Sequence, residues 1–433
     1  MTHTGRVTLF GAACLTVLVT LSILQVPGLT LTWATFTFLA AIWIAVSPKS
    51  GRRTSPVTVA ILLLTAIVTS LPGVPSFVLV VAIALFTAWL KRTQGAARWA
   101  IAGALALAFL AAVTQGSVDG QATDLDVLNA FCRTYLMGAT LASLTGSYRA
   151  TQDTISAVAV SVVLCVTFLL SVVSGLPARE YSTVRLSGYL SAEGSVRPSG
   201  WAASPNEMAA ILGLGLILLI AYWVNSASAR TIYFLFAAVL AGACIIATGT
   251  RSVLIACLLA AATVVVSGRR ARMSTRRRIF LASILVGAAF FALNFVGSGR
   301  DLFGRDGDGS SVYRAAVAER VWTRLLSGEA PITGIGLTLG NQIPPNQLTY
   351  GVEVVDNSFF YVTAFLGVLG LVAFCAFVVV VAVWLVRRLS PALPVLVFLV
   401  ILMFFENIVA WPSALMVAII CGGFLGTASP VRE

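Results

Sequence analysis

The chain has 433 residues, 59% of them apolar and only 10% charged, with 28 Lys and Arg against 16 Asp and Glu for a formal charge of +12. Soluble domains carry roughly 25% charged residues, so this composition argues against a water-soluble enzyme. A bilayer crossing takes about 20 apolar residues, and such runs follow one another from end to end, which predicts an all-α fold and a single polytopic membrane domain over residues 1–433.

In chain order, apolar runs bounded by Pro, Gly and charge open near Val7, Leu29, Pro56, Val74, Arg98, Val127, Thr154, Pro205, Thr231, Arg251, Ile279, Asn357, Ala392 and Pro412. Several neighbouring runs leave room only for a tight hairpin between them, so the expectation is about 12–14 transmembrane helices. The first run follows Arg6 and continues to Gln25 without a small-residue cleavage site, which reads as an uncleaved signal anchor. No fixed-period repeat is present. All seven cysteines fall inside apolar runs and behave as small hydrophobes. They show no zinc-ligand spacing, and the one histidine, His3, sits in the polar N-terminal tail. Neither a metal site nor a cofactor is expected.

Charge sets the expected orientation. The connector bearing Arg269, Arg270, Arg272, Arg276, Arg277 and Arg278 belongs in the cytoplasm by the positive-inside rule. Alternating outward from it puts both termini inside and places eighteen of the 28 basic residues on the cytoplasmic side. Thirteen of the 16 acids then face outward, Glu207 among them, while Glu406 and Arg133 fall within spans. The positive balance is thus topological and implies no nucleic-acid partner. The site of action is expected on the exterior face of a cytoplasmic (inner) membrane.

Two exterior loops are long enough to carry function, residues 176–204 and the larger 298–356, which is expected to contain short helices. At the end of the first, Arg197 and Gly200 precede Ser204, Pro205, Asn206 and Glu207. Ser204 suits an N-cap, Pro205 a first turn and Glu207 the positive end of a helix dipole. Next comes Thr248-Gly-Thr-Arg251-Ser252, a turn with an arginine at the mouth of the following span. A snorkelling role is the plain alternative for that arginine.

In the large loop, Ser310 to Leu326 has the spacing of a short amphipathic helix with Arg314, Arg320 and Arg324 around its apolar face. It is followed by the Gly-rich turn Pro331-Ile-Thr-Gly334-Ile-Gly336. Glu353, Asp356 and Asn357 then open a span containing Leu366-Gly-Val-Leu-Gly370, and Asp356 on its own reads as an N-cap acid. The segment from Asp306 to Ser310 is not a calcium loop, since Ser311 and Val317 stand where an EF-hand needs Gly and Glu. Arg133 and Glu406 read as structural, although an intramembrane charge is a functional candidate by default.

Taken in order, these elements resemble the O-antigen ligase and O-antigen polymerase superfamily of polytopic membrane glycan ligases and polymerases. The matching features are Arg197, Gly200, Pro205 and Asn206; Thr248 to Ser252; Arg320 followed by Pro331 to Gly336; and Asp356-Asn357 opening a span with Gly-x-x-Gly. The resemblance covers roughly residues 176–371. The ligase branch has His where this chain has Asp356, which favours the polymerase branch and leaves ligase-type transfer to a lipid or protein acceptor open.

The resemblance implies a metal-independent glycosyltransferase acting on a polyprenyl-pyrophosphate-linked oligosaccharide. Arg197, Arg251 and Arg320 would hold the pyrophosphate and Asp356 would serve as general base, with Glu353 in reserve. Gly200, Pro205, Asn206, Gly334, Gly336 and Asn357 would shape the site. The implied partners are the lipid-linked donor, a glycan acceptor and membrane lipids, with a chain-length regulator or other glycan-assembly proteins as further candidates. The competing class is a transporter or lipid-linked oligosaccharide flippase, which would need polar residues along a transbilayer path; a structural membrane partner is weaker still.

Overall fold

In the computed structural model, the structure describes residues 56–70, 82–83, 86, 97–117, 124–145, 154–173, 198–202, 204–225, 231–267, 319, 357–388 and 390–425. Among the described residues the secondary structure is helical, with α1 (Pro56–Ser70), α2 (Ala97–Ser117), α3 (Asp124–Leu144), α4 (Thr154–Val173), α5 (Pro205–Asn225), α6 (Thr231–Ala247), α7 (Arg251–Ser267), α8 (Ser358–Arg388), α9 (Leu393–Phe405), a 3-10 turn (Ile408–Ala410) and α10 (Pro412–Leu425). Each helix begins within three residues of an apolar run expected from the sequence. The runs near Val7, Leu29 and Ile279, and most of the one near Val74, lie outside the described residues. So does the loop 298–356 except Glu319, which is helical and exposed.

The starts follow from local chemistry. Ser204 Oγ accepts the Glu207 amide at 3.1 Å, so Ser204 is the N-cap of α5 and Pro205, which lacks an N–H, occupies the first helical position. Asn357 caps α8: its Oδ1 accepts the amides of Phe359 at 2.9 Å and Phe360 at 3.1 Å. The cap is therefore Asn357 and not the Asp356 expected from the sequence, because the helix begins one residue later. Between α6 and α7 only Thr248, Gly249 and Thr250 remain, and Gly249 turns the chain at φ 66, a left-handed conformation that glycine adopts at little cost.

At the centre lies α5, which packs against α4, α6, α7, α9 and α10 and is buried over most of its length. Around it, α2 pairs with α3, α3 with α10, α7 with α9, and α8 lies against α2 and α9. Small residues permit the close approaches: a Cβ on Gly138 of α3 would collide with the Ala104 backbone and side chain of α2. Hydroxyls within helices return to carbonyls of the preceding turn, as Thr65 does to Ile61 at 2.8 Å and Thr167 to Val163 at 2.8 Å. Others cross between helices, as Ser161 Oγ does to Gly215 O at 2.6 Å and Thr140 Oγ1 to Leu415 O at 3.2 Å. Arg133, half-buried on α3, faces Tyr361 of α8, so this interior charge has a neighbour across the bundle.

Among the described residues, α6 and α8 present large apolar side chains on their exposed faces. Ile232, Phe236 and Val239 of α6 are exposed, as are Leu369, Val372, Val380 and Val383 of α8. Two stretches, Pro205–Val224 and Phe365–Arg388, are long and apolar enough to cross a membrane by length and composition, and the other apolar helices among the described residues run to 10–17 residues.

Candidate functional site

The starts of α5, α7 and α8 meet the break between α9 and α10 at one end of the bundle, and Glu406 is where they join. It is the C-cap of α9, extended at φ −140 and ψ 152, and is 2% exposed. Oε2 accepts the side-chain amide of Asn206 at 3.0 Å, and Oε1 accepts the Ser252 hydroxyl at 2.8 Å. Its backbone carbonyl accepts the Ser358 hydroxyl at 2.8 Å. Because a carboxylate oxygen accepts, Asn206 must present its Nδ2 to Glu406, which leaves Oδ1 to take the Thr250 hydroxyl at 3.1 Å.

A closed circuit results, running from Asn206 to Thr250, through the Arg251 backbone to Ser252, on to Glu406 and back to Asn206. Arg251 is half-buried and flanked on both sides by residues fixed in this circuit. The start of α8 is attached to the same place, since Asn357 Nδ2 donates to Phe404 O at 2.8 Å and Ser358 Oγ accepts the Ile408 amide at 3.0 Å. A second tie lies alongside: the Ser413 hydroxyl of α10 donates to Glu207. Glu207 is 2% exposed. Its carboxylate thus turns into the bundle, where Ser413 offers a donor, and does not stand free in solvent.

Upstream, Gly200 turns at φ 57 and Trp201 is buried, its indole N–H donating to Thr167 Oγ1 at 3.2 Å. The Ala202 amide returns to Ser199 O at 3.1 Å. The loop ahead of α5 is thus pinned to the end of α4.

Of the residues singled out from the sequence, the structure joins Asn206, Pro205, Arg251 and Asn357 around one hub and places Gly200 in the turn leading to it. Arg197, Arg320, Gly334, Gly336, Glu353 and Asp356 lie outside the described residues. Ser252, which the sequence placed in the turn with Arg251, and Glu406, which it read as structural, complete the constellation together with Ser358 and Ser413, which it did not single out. The signal for Glu406 was its charge within an otherwise apolar stretch.

Among the described residues, fold and site together define a helical bundle with a buried polar hub where three helix starts meet. Residues 236–375 match the family model for O-antigen ligase. This match supports the O-antigen ligase superfamily for the chain, suggests a membrane function of the O-antigen ligase or polymerase type and implies a glycan-transferring enzyme. No curated protein matches the chain. Asn206 and Glu406 stand outside the matched segment, yet both are hydrogen-bonded into it.

Proposed function

We propose that this protein is a polytopic membrane glycosyltransferase that polymerises a polyprenyl-pyrophosphate-linked oligosaccharide on the outer face of the cytoplasmic membrane. The observation that carries this reading is the meeting of Asn206, the Thr248–Ser252 turn and the Asn357–Ser358 helix start around Glu406, with Arg251 at the mouth of α7 beside the hub. The exposed apolar faces of α6 and α8 support a lipid surround, since a face of this kind is far more apolar than a solvated one. The asymmetric distribution of arginine supports an exterior site.

In this mechanism the acceptor hydroxyl attacks the anomeric carbon of the donor. A new C–O bond forms, the bond to the pyrophosphate breaks, and its electron pair leaves with the pyrophosphate. Asp356 takes the hydroxyl proton, with Glu353 in reserve. Arg197, Arg251 and Arg320 neutralise the charge that grows on the leaving group. Guanidiniums suit this work because each presents a planar fork to two phosphate oxygens, and each properly placed donor contributes about 2–4 kcal/mol to the transition state.

The test uses purified, reconstituted protein supplied with lipid-linked oligosaccharide. Arg251→Ala is expected to lower polymer formation by about 10²–10³-fold with membrane insertion intact; undiminished polymer removes the pyrophosphate assignment. Asp356→Asn is expected to keep donor binding and slow transfer.

The description of the matched family favours a second reading, ligase-type transfer of the glycan to a lipid or protein acceptor. A ladder of lengthened lipid-linked products identifies polymerisation, whereas a single glycan moved onto a different acceptor identifies ligation.

A further inference from the structure

A carboxylate is electrostatically unfavourable beside a pyrophosphate site, because it repels the anion that the arginines attract. Glu406 nevertheless occupies the point where three helix starts meet, 2% exposed and with both carboxylate oxygens taken by Asn206 and Ser252. With its oxygens so committed and its surface closed to solvent, it is badly placed to take a proton from a substrate. Its bonds instead fix geometry. Ser252 follows Arg251, Thr250 precedes it, and both neighbours are tied, directly or through Asn206, to Glu406.

We infer that Glu406 is a positioning residue that holds the opening turn of α7 so that Arg251 engages the donor pyrophosphate. The inference rests on the function proposed above and concerns a residue outside the segment matched to the family. The same residue also ties α8 to the hub, its backbone carbonyl accepting the Ser358 hydroxyl, so the start of α8 is fixed relative to the opening turn of α7. Loss of the side-chain bonds is expected to act through Arg251, leaving the Ser358 contact in place.

The experiment measures binding of undecaprenyl pyrophosphate to the full chain in nanodiscs, normalised to folded protein, for wild type, Arg251→Ala, Glu406→Leu, Glu406→Gln, Ser252→Ala and the Arg251→Ala/Glu406→Leu double variant. Glu406→Leu preserves bulk and deletes both acceptors, so its affinity is expected to fall about tenfold, the scale of a lost hydrogen bond to a charged group. Glu406→Gln is expected to stay within about threefold of wild type, because its carbonyl can accept from Asn206 while its amide donates to the Ser252 hydroxyl. The double variant is expected to bind no more weakly than Arg251→Ala alone, since both changes disable the same contact.

Should Glu406→Leu prevent folding, Ser252→Ala paired with Arg251→Ala carries the same comparison with only one bond removed. Losses that multiply, or a Glu406→Leu variant that binds as wild type while Arg251→Ala binds weakly, overturn the positioning role and leave the pyrophosphate site standing. Unchanged binding by Arg251→Ala overturns the site assignment and the inference with it.

Discussion

Exchanging Asn206 for Asp replaces one NH2 group by an oxygen and leaves the side-chain shape alone, so it isolates the donor that Asn206 presents to Glu406. The Thr250 bond survives, because Asp can also accept that hydroxyl. At the other end, acceptor now faces acceptor across the 3.0 Å that the amide nitrogen spanned. Asn206→Ala is the yardstick. It deletes one bond to a carboxylate and one to a hydroxyl, together about 2–4 kcal/mol. Interhelical hydrogen bonds in lipid average only about 0.6 kcal/mol, but the stranded group here is a carboxylate, which favours the upper estimate. Asn206→Asp is expected to destabilise more than Asn206→Ala, since two like charges about 3 Å apart at an effective dielectric of about 20 add about 5 kcal/mol of repulsion before any relaxation. Adding Glu406→Gln to Asn206→Asp restores the pairing, with the new amide donating to Asp and its carbonyl accepting from Ser252. The assay is denaturant unfolding of the detergent-solubilised protein, followed by tryptophan fluorescence. An Asn206→Asp variant as stable as Asn206→Ala, or a double variant no better than Asn206→Asp, refutes the assigned contact.

Two further predictions concern the approach to the site and the surround of the bundle. At Gly200, φ is 57 and an added Cβ would lie 2.8 Å from both Phe168 Cδ2 and Ser171 Oγ, so Gly200→Ala is expected to cost about 1–2 kcal/mol in the same unfolding assay, and a neutral effect would contradict this turn. Val239 on α6 is 69% exposed; Val239→Asp is expected to impair insertion by about 2.5–3.5 kcal/mol in a translocon assay, whereas a water-facing position would accept Asp within about 0.5 kcal/mol.

Helix starts were legible because their determinants are local. Ser204 with Pro205 announces α5, the Thr248–Thr250 turn separates α6 from α7, and Pro394 and Pro412 accompany the starts of α9 and α10. The joining of these starts was not legible, because the contacts that make the hub span the chain: Asn206 lies 200 residues from Glu406, and Ser252 lies 154 residues from it. A lone acid in an apolar stretch carries no mark of which hydroxyl or amide it will meet. Glu207 shows the converse. Its place in the first turn of α5 was read as dipole compensation, which remains sound, but the Ser413 donor that draws it inward belongs to α10 and comes from packing alone.

The ends of α8 connect the hub to the charge pattern. Its first turn is sewn to Phe404, Glu406 and Ile408, and its last turn carries Arg387 and Arg388, the latter lying over the Trp384 ring at 4.9 Å. An arginine on an indole is a common arrangement at a membrane–water boundary, where both groups keep one side wet. The helix contains 31 residues and bends at Gly367, where φ is 68. At 1.5 Å per residue it reaches at most about 46 Å, close to the about 40–45 Å of a bilayer with its headgroups. The hub and the arginine pair therefore stand at opposite ends of a kinked helix that is no longer than about one membrane. If the arginine end obeys the positive-inside rule, Arg251 and Glu406 are on the exterior side, where a lipid-linked glycan would be presented. Placing a cysteine beside Arg388 and another beside Asn357, and labelling each from outside with an impermeant reagent, separates the two ends: only the second is expected to react, and labelling of the first alone would invert the orientation and remove the site from the compartment its proposed substrate occupies.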